Sequence, residues 1–319
     1  SILALSLPAI AVVMSASGCG PAAGHAAPSG TPVTMQGPVP MAYRYPEGQP
    51  VRYAFSFDMK AQGMERFRET SEGVIHVMNE GTFGDGFVRL RIRRQETSRK
   101  RVEIAKNRQS TDRSISDIYP HLSPNVIRQD PADVRFSFPV DACGRFAIRE
   151  ETPFHFLFYD SLCHFLPAFS RNPAAVGGTW KTYVPVILGF RYMNNEFTLN
   201  VENKLEKVLR LSDGRRAARV SFTFSGRFDT AEDPYAVRFS DAFRSEQRIV
   251  NEVMGGGEAV FDLDAGLVLW KRLTVKVVES RSREVIRELG EKDGRRLTRT
   301  DWEKDENRYE VNETWKLLP

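Results

Sequence analysis

The chain has 319 residues, 41% hydrophobic and 27% charged, with 45 Lys and Arg against 41 Asp and Glu and a net charge of +4. Charges so nearly balanced, scattered along the chain instead of gathered on one face, argue against a nucleic-acid partner, which needs a basic face. The length permits one large domain or two small ones.

Residues 1–18 begin with SILALSLPAIAVVM, an apolar run of signal-peptide length. It is too short, with Pro8 inside it, to cross a bilayer comfortably as a helix. Small residues, Ala16, Ser17 and Gly18, then lead into Cys19. This resembles the lipobox of bacterial lipoproteins, with Ala16 where Leu is usual. The resemblance implies a diacylglycerol thioether on Cys19, cleavage before it, and acylation of the new amino terminus; the competing reading is a free cysteine in an ordinary secretory signal. Two or three acyl chains, at about 0.8 kcal/mol per buried methylene, hold a protein to a membrane for good. Gly20, not Asp, follows the cysteine, which by resemblance to lipoprotein sorting implies the outer membrane, with the body in the periplasm or at the cell surface. Residues 19–44 are rich in Gly, Ala, Pro, Ser and Thr and carry no Asp, Glu, Lys or Arg before Arg44. Such a composition predicts a disordered tether.

The body, 45–319, is dominated by strict alternation. Val51, Tyr53, Phe55 and Phe57 interleave with polar neighbours, as do Val88, Leu90 and Ile92, and Ala218, Val220, Phe222 and Phe224. VRFSF at 134, FTLNV at 197 and LTVKV at 273 are of the same kind. A period of two predicts antiparallel strands, packed on one face and wet on the other. Turn signals fall between them at Gly81 to Gly86, SDGRR at 212, DAG at 264 and KDGRR at 292. The expected fold is mainly β: a meandering antiparallel sheet, curved or half-barrel-like. The charges of the last stretch, EKDGRRLTRTDWEKDENRYEVNETW, alternate in sign at strand spacing and predict a solvated, cross-paired hairpin.

One segment breaks the pattern. PFHFLFYDSLCHFLPAF, from Pro153, predicts an apolar helix over 153–168, about 24 Å long. Phe154, Phe158, Leu162, Phe165 and Leu166 share one face, and Leu157 widens it, so the helix is covered on two sides or lines a hydrophobic ligand. His155 and His164 are nine residues apart and fall on opposite sides of such a helix, while Asp160 and His164 share a face. Two ligands do not make a zinc site, so no metal is expected. Cys143 and Cys163 remain once Cys19 is set aside, as either one disulfide or two buried thiols. There is no GxSxG, HExxH, CxxC or Walker motif, so no cofactor and no catalysis are expected. MGGGEAVFDLD runs into a strand and predicts a hairpin or bulge instead of a phosphate cradle.

A weak repeat divides the body into halves, about 45–152 and 176–319, joined by the helix. Each half closes on a strand, an Asp/Gly turn and a strand: Asp141, Ala142, Cys143, Gly144 in one and Asp264, Ala265, Gly266 in the other. YRYPEGQPVRYAF at 43, LPAFSRNPAAVGGTW at 166 and GGGEAVFDLDAGLVLWKRLTV at 255 resemble a family of bacterial lipoproteins of unknown function. The resemblance implies an architecture and a location, not an activity. A looser similarity of plan, long strands with one apolar helix, relates the chain to the half-barrels that carry lipoproteins through the periplasm. Two functions stay open: an envelope lipoprotein holding a lipid or other hydrophobic small molecule, or a module packed solid that presents its surface to another envelope protein.

Overall fold

The computed structural model describes residues 26–63, 65–84, 86–106, 133–145, 167–188, 195–229, 247–292 and 295–319. Its strands are β1 (Thr31–Val33), β2 (Val51–Gln62), β3 (Glu65–Thr82), β4 (Phe87–Lys106), β5 (Asp133–Asp141), β6 (Thr179–Leu188), β7 (Asn195–Arg210), β8 (Arg216–Asp229), β9 (Gln247–Asp262), β10 (Leu267–Lys292) and β11 (Arg295–Leu317). All eleven form one sheet in the order β1-β7-β8-β9-β10-β11-β2-β3-β4-β5, and β6 pairs along the same edge of β7 as β1. Every strand pair is antiparallel, and the sheet does not close: among the described residues β5 pairs with β4 alone. The expected halves are fused through the pairing of β2 with β11. No helix occurs among the described residues; 153–166 lie outside them, and Pro167 and Ala168 are not helical.

Alternation puts one face of each strand into the core. On β2, Val51, Tyr53, Phe55, Phe57, Met59 and Ala61 are buried, and on β10, Leu273, Val275 and Val277. The buried positions of β2 to β5 and of β6 to β11 belong to one apolar cluster. A flat path from β6 to β5 crosses nine strand intervals, about 43 Å at ~4.8 Å each. Yet Trp180 of β6 donates its indole N–H to the carbonyl of Ala168 (3.0 Å), and the next residue, Phe169, donates its amide to Cys143 at the end of β5 (2.7 Å). The sheet therefore curls until its two edges lie within reach of one short segment.

Residues 39–47 and 167–176 stopper one end of the curl. Val39 and Ala174 exchange backbone hydrogen bonds, and Asn79 donates its side-chain amide to the carbonyl of Tyr45 (3.0 Å). Between them, Tyr43 N–H donates to Ala142 (2.7 Å) and Arg44 N–H to Gly266 (2.9 Å), one hydrogen bond to the Asp/Gly turn of each half. The Tyr43 ring stacks on Phe169 and meets Phe261 edge-on, and its hydroxyl donates to Pro167. The turn glycines fit this contact: Gly144 (φ 80°) lies under the Tyr43 ring and Gly266 (φ 71°) under Arg44, where any Cβ would collide. Composition misses this. The tether expected over 19–44 is, from Thr31 on, part of the fold, because Val39, Met41 and Tyr43 are scattered apolar residues that the stopper buries.

Asp141 and Asp264, matched by turn sequence, do not have the same role. Asp141 accepts the amides of Cys143 and Arg145 and pairs with the Arg145 guanidinium. In the other half that role belongs to Asp262, which accepts the amides of Asp264 and Ala265 and binds Arg215 at 2.5 Å. Asp264 instead pairs with Arg216 on the surface.

Gly255, Gly256 and Gly257 are neither hairpin nor bulge; they lie mid-strand in β9, paired on both sides. Phe224 stands directly opposite Gly255 and Phe222 opposite Gly257, and their rings fill the space where a Cβ would be. Phe55 lies over Gly73 of β3 in the same way. Each aromatic covers the apolar gap that a strand glycine leaves.

Two outcomes follow for urea denaturation of the full chain. Tyr43→Ala should lower the unfolding free energy by about 3 to 5 kcal/mol, the usual cost of deleting a buried aromatic ring. Gly255→Ala should lower it by about 1 to 3 kcal/mol through overpacking against Phe224 and the Thr274 carbonyl.

Candidate functional site

The concave face is not uniformly apolar. Lys271, Trp315, Phe55, Gly73 and Glu96 stand opposite one another on β10, β11, β2, β3 and β4. The adjacent row, away from the stopper, is Leu273, Glu313, Phe57, Ser71 and Arg99. Six ionisable side chains lie on this face over four successive rows: Arg94, Arg99 and Lys271, with Glu69, Glu96 and Glu313. Lys271 and Glu313 are each only 2% exposed. Nearer the stopper lie Tyr53, Ile75, Ile92 and Phe261; farther from it lie Met59, Val275, Val311 and Phe224. The charged tier overlaps both apolar belts, with Arg94 opposite Ile75 and Glu69 opposite Met59.

Its contacts are specific. The Arg94 guanidinium lies 4.3 Å from the Phe55 ring centre and 5.2 Å from that of Phe57, and Nη2 donates to Ser71 Oγ at 3.1 Å. Nη2 also approaches Glu96 Oε1 at 3.6 Å, and Ser71 donates a hydrogen bond to Glu96. Arg99 binds Glu69 at 2.7 Å and stands 3.8 Å from Glu96 Oε2, which receives no hydrogen bond. Lys271 Nζ sits 3.8 Å above the Trp315 ring. A cation on an aromatic face is worth about 2 kcal/mol once desolvated. Across the curl, Asn203 donates to Thr182 Oγ1 at 3.1 Å, while its own carbonyl oxygen has no donor. A further row, Asn251, Glu279 and Asn307, lies farther from the stopper on β9, β10 and β11, with Asn307 donating to Glu279 at 3.3 Å.

Burial raises the Glu96 carboxyl above the ordinary glutamate range, against the lowering effects of Arg94, Arg99 and the Ser71 hydrogen bond. Burial likewise raises the Cys143 thiol, with Asp141 adding to it. Cys143 is a free, half-buried thiol in the turn after β5. Its expected partner Cys163 lies outside the described residues, as do Cys19, Phe154, His155, Leu157, Phe158, Asp160, Leu162, His164, Phe165 and Leu166. Among the described residues no three His, Cys, Asp or Glu side chains gather as metal ligands. His76, a described histidine, is on the convex face beside Gln95 (3.1 Å). Within the tier charge meets charge and aromatic faces, and the Ser71 hydroxyl stands between Arg94 and Glu96.

Alternation conceals the tier, because polar residues at strand spacing read as the wet face. The signal was an interruption of the apolar phase: Glu69 and Ser71 sit in register with Phe67 and Ile75, and Glu313 with Val311 and Trp315. The final hairpin is correspondingly less solvated than its charges suggest, since Asn307 and Glu313 point inward and are buried. No protein-family model, curated protein or solved structure matches this chain.

A carboxyl raised by burial binds its proton more tightly in the folded state, so its contribution is greatest at low pH and is lost as pH rises past the ordinary glutamate value of about 4.3 toward the raised one. Glu96→Gln removes that dependence. The unfolding free energy of the variant minus that of the parent, from urea titrations, should increase between pH 4 and pH 7; a flat or falling difference would count against the assignment.

Proposed function

We propose that this protein is a bacterial lipoprotein, held to the outer membrane by acyl groups on Cys19, whose curled sheet binds a lipid or other hydrophobic molecule without catalysing a reaction. The observation that supports this best is the concave face: an apolar belt crossing the strands from β7 to β4, stoppered at one end, with buried charges set into it. Buried ion pairs commonly contribute less stability than apolar side chains of similar volume, so a core packed only for stability gains little from them. An amphiphilic occupant supplies both chemistries. The segment 153–166 enters this reading as a helix laid over the concave face, with Phe154, Leu157, Phe158, Leu162, Phe165 and Leu166 toward the ligand. Both flanks of the segment support the placement: Arg145 follows the β5 turn and Pro167 accepts the Tyr43 hydroxyl, so the chain leaves and returns at the stopper.

One observation favours the second reading, a module that docks on another envelope protein. Tyr183, Asn200, Ser225 and Met254 stand in one row across β6 to β9 on the convex face, with Tyr183 63% and Met254 50% exposed. Small neutral side chains between two exposed large ones make a flat patch of the kind that meets a partner.

Native mass spectrometry of the full chain, extracted from its own membrane, separates the two. A bound hydrophobic small molecule is the expected result, and a stoichiometric protein partner with no small molecule would select the docking module. The anchor is read apart from either: the intact mass should correspond to a chain beginning at Cys19 with acyl groups attached, and an unmodified Cys19 would end the lipoprotein reading.

A further inference from the structure

The convex face carries a row of basic residues that ligand binding inside the curl does not use. Arg52, His76 and Arg93 stand directly opposite one another on β2, β3 and β4, and Arg135 holds the next register position on β5. Like charges directly opposite across strands destabilise a sheet, so pairing energy does not account for the arrangement. Arg91 and Arg89 extend the positive strip along β4 toward the β3–β4 turn. Among the described residues Glu80 pairs with Arg91 of the strip and accepts a hydrogen bond from Ser137. The Arg89 guanidinium stands 4.6 Å over the Phe83 ring.

One end of the row connects to the chain's N-terminal arm through the last residues of the chain. Ala27 packs on the convex face against a small cluster that includes Trp270 and Leu317. The next residue, Leu318, donates its amide to the Arg52 carbonyl at 2.8 Å, and the Arg52 guanidinium reaches the Pro319 carbonyl at 3.0 Å. Ala27 is eight residues from Cys19, a span of at most about 28 Å. An acylated Cys19 would lie within that span of Ala27.

We infer that the row formed by Arg52, His76 and Arg93, with Arg89 and Arg91, docks on anionic phospholipid headgroups of the membrane that holds the anchor, turning the convex face of β2 to β5 toward the bilayer. The inference rests on the lipoprotein reading of Cys19. Its chemistry is charge complementarity between guanidinium groups and phosphate, and each basic residue near an anionic surface strengthens association by about fivefold. One consequence is orientation: Tyr183 and Met254, several strands away around the curl, stay free for a partner or for water.

The test uses the chain from Gly20 to Pro319, which contains every described residue and no acylation site, and sedimentation with phosphatidylcholine vesicles with or without 30% phosphatidylglycerol. Binding to the anionic vesicles at low salt is expected, with loss on raising the salt and little binding to the neutral ones. The triple variant Arg52→Gln, Arg91→Gln, Arg93→Gln should bind at least tenfold less. A control with the same loss of charge on the convex face of other strands or farther from the stopper, Lys60→Gln, Lys276→Gln, Arg308→Gln, should stay within about threefold of the parent. Equal losses in both variants would reduce the effect to net charge and overturn the inference, as would no binding to anionic vesicles. Row-dependent retention on heparin without vesicle binding would assign the row to a soluble polyanion and overturn the membrane assignment. The intact-mass measurement on Cys19 fails or succeeds independently of these outcomes.

Discussion

The curl of the sheet depends on two adjacent backbone hydrogen bonds, Tyr43 N–H to Ala142 and Arg44 N–H to Gly266, which tie the terminal turns of the two halves to one strap. Each bond alone contributes about 1 kcal/mol net. Their effect is larger because they are coupled to the Tyr43 ring, whose contacts with Phe169 and Phe261 join the strap, the segment before β6 and the end of β9 in one aromatic group. Burial pushes the Tyr43 hydroxyl well above its ordinary range, so it stays neutral and remains a donor to Pro167. The concave face, and the charged tier within it, exist because this end is held closed while the sheet remains open along its length.

What keeps the sheet open is visible in the distribution of proline. The three edge strands each contain one: Pro32 in β1, Pro139 in β5 and Pro185 in β6. The eight strands between them contain none. Proline has no N–H to give to a further strand and is confined to edges for that reason. Placed on both open edges, it weakens direct pairing of β5 with β6 and so opposes closure into a barrel. It also opposes pairing between copies of the chain, the hazard of any long exposed edge. The curl is thus held by the stopper while its seam is kept unpaired by sequence.

These devices explain which parts of the fold were legible beforehand. The strands around Phe55, Leu90, Val220 and Val275 and the turns at 212, 264 and 292 follow from alternation and turn chemistry, which are local. The stopper does not, since Val39, Met41 and Tyr43 have no periodicity and stand in a stretch whose Pro, Gly and Ala content reads as a tether. Their partners, Ala174, Phe169 and Phe261, are more than a hundred residues away. The mid-strand position of Gly255 to Gly257 was hidden for the same reason: it depends on Phe222 and Phe224 from β8. Proline placement, by contrast, is a local signal, and it coincides with the edges. The aligned Asp141 and Asp264 were a plausible match by turn sequence, and only the hydrogen bonds identify Asp262 as the equivalent of Asp141.

The charged tier has a structural task whatever occupies the concave face. Slipping an antiparallel strand by one residue turns its apolar side chains to water, and the hydrophobic pattern forbids it. A slip of two residues keeps every side chain on its own face, and alternation over strands as long as β10 and β11 opposes it only weakly. Either sense of such a slip would carry Lys271 off the Trp315 ring, and the one that sets Val275 opposite Glu313 would leave buried charge without the contacts that compensate it, which costs several kcal/mol per group. Arg94 is pinned in the same manner by Ser71, Phe55 and Phe57. Buried polar groups with specific partners therefore oppose a slip of the long strands, and the register they favour also brings the basic residues of the convex face into line.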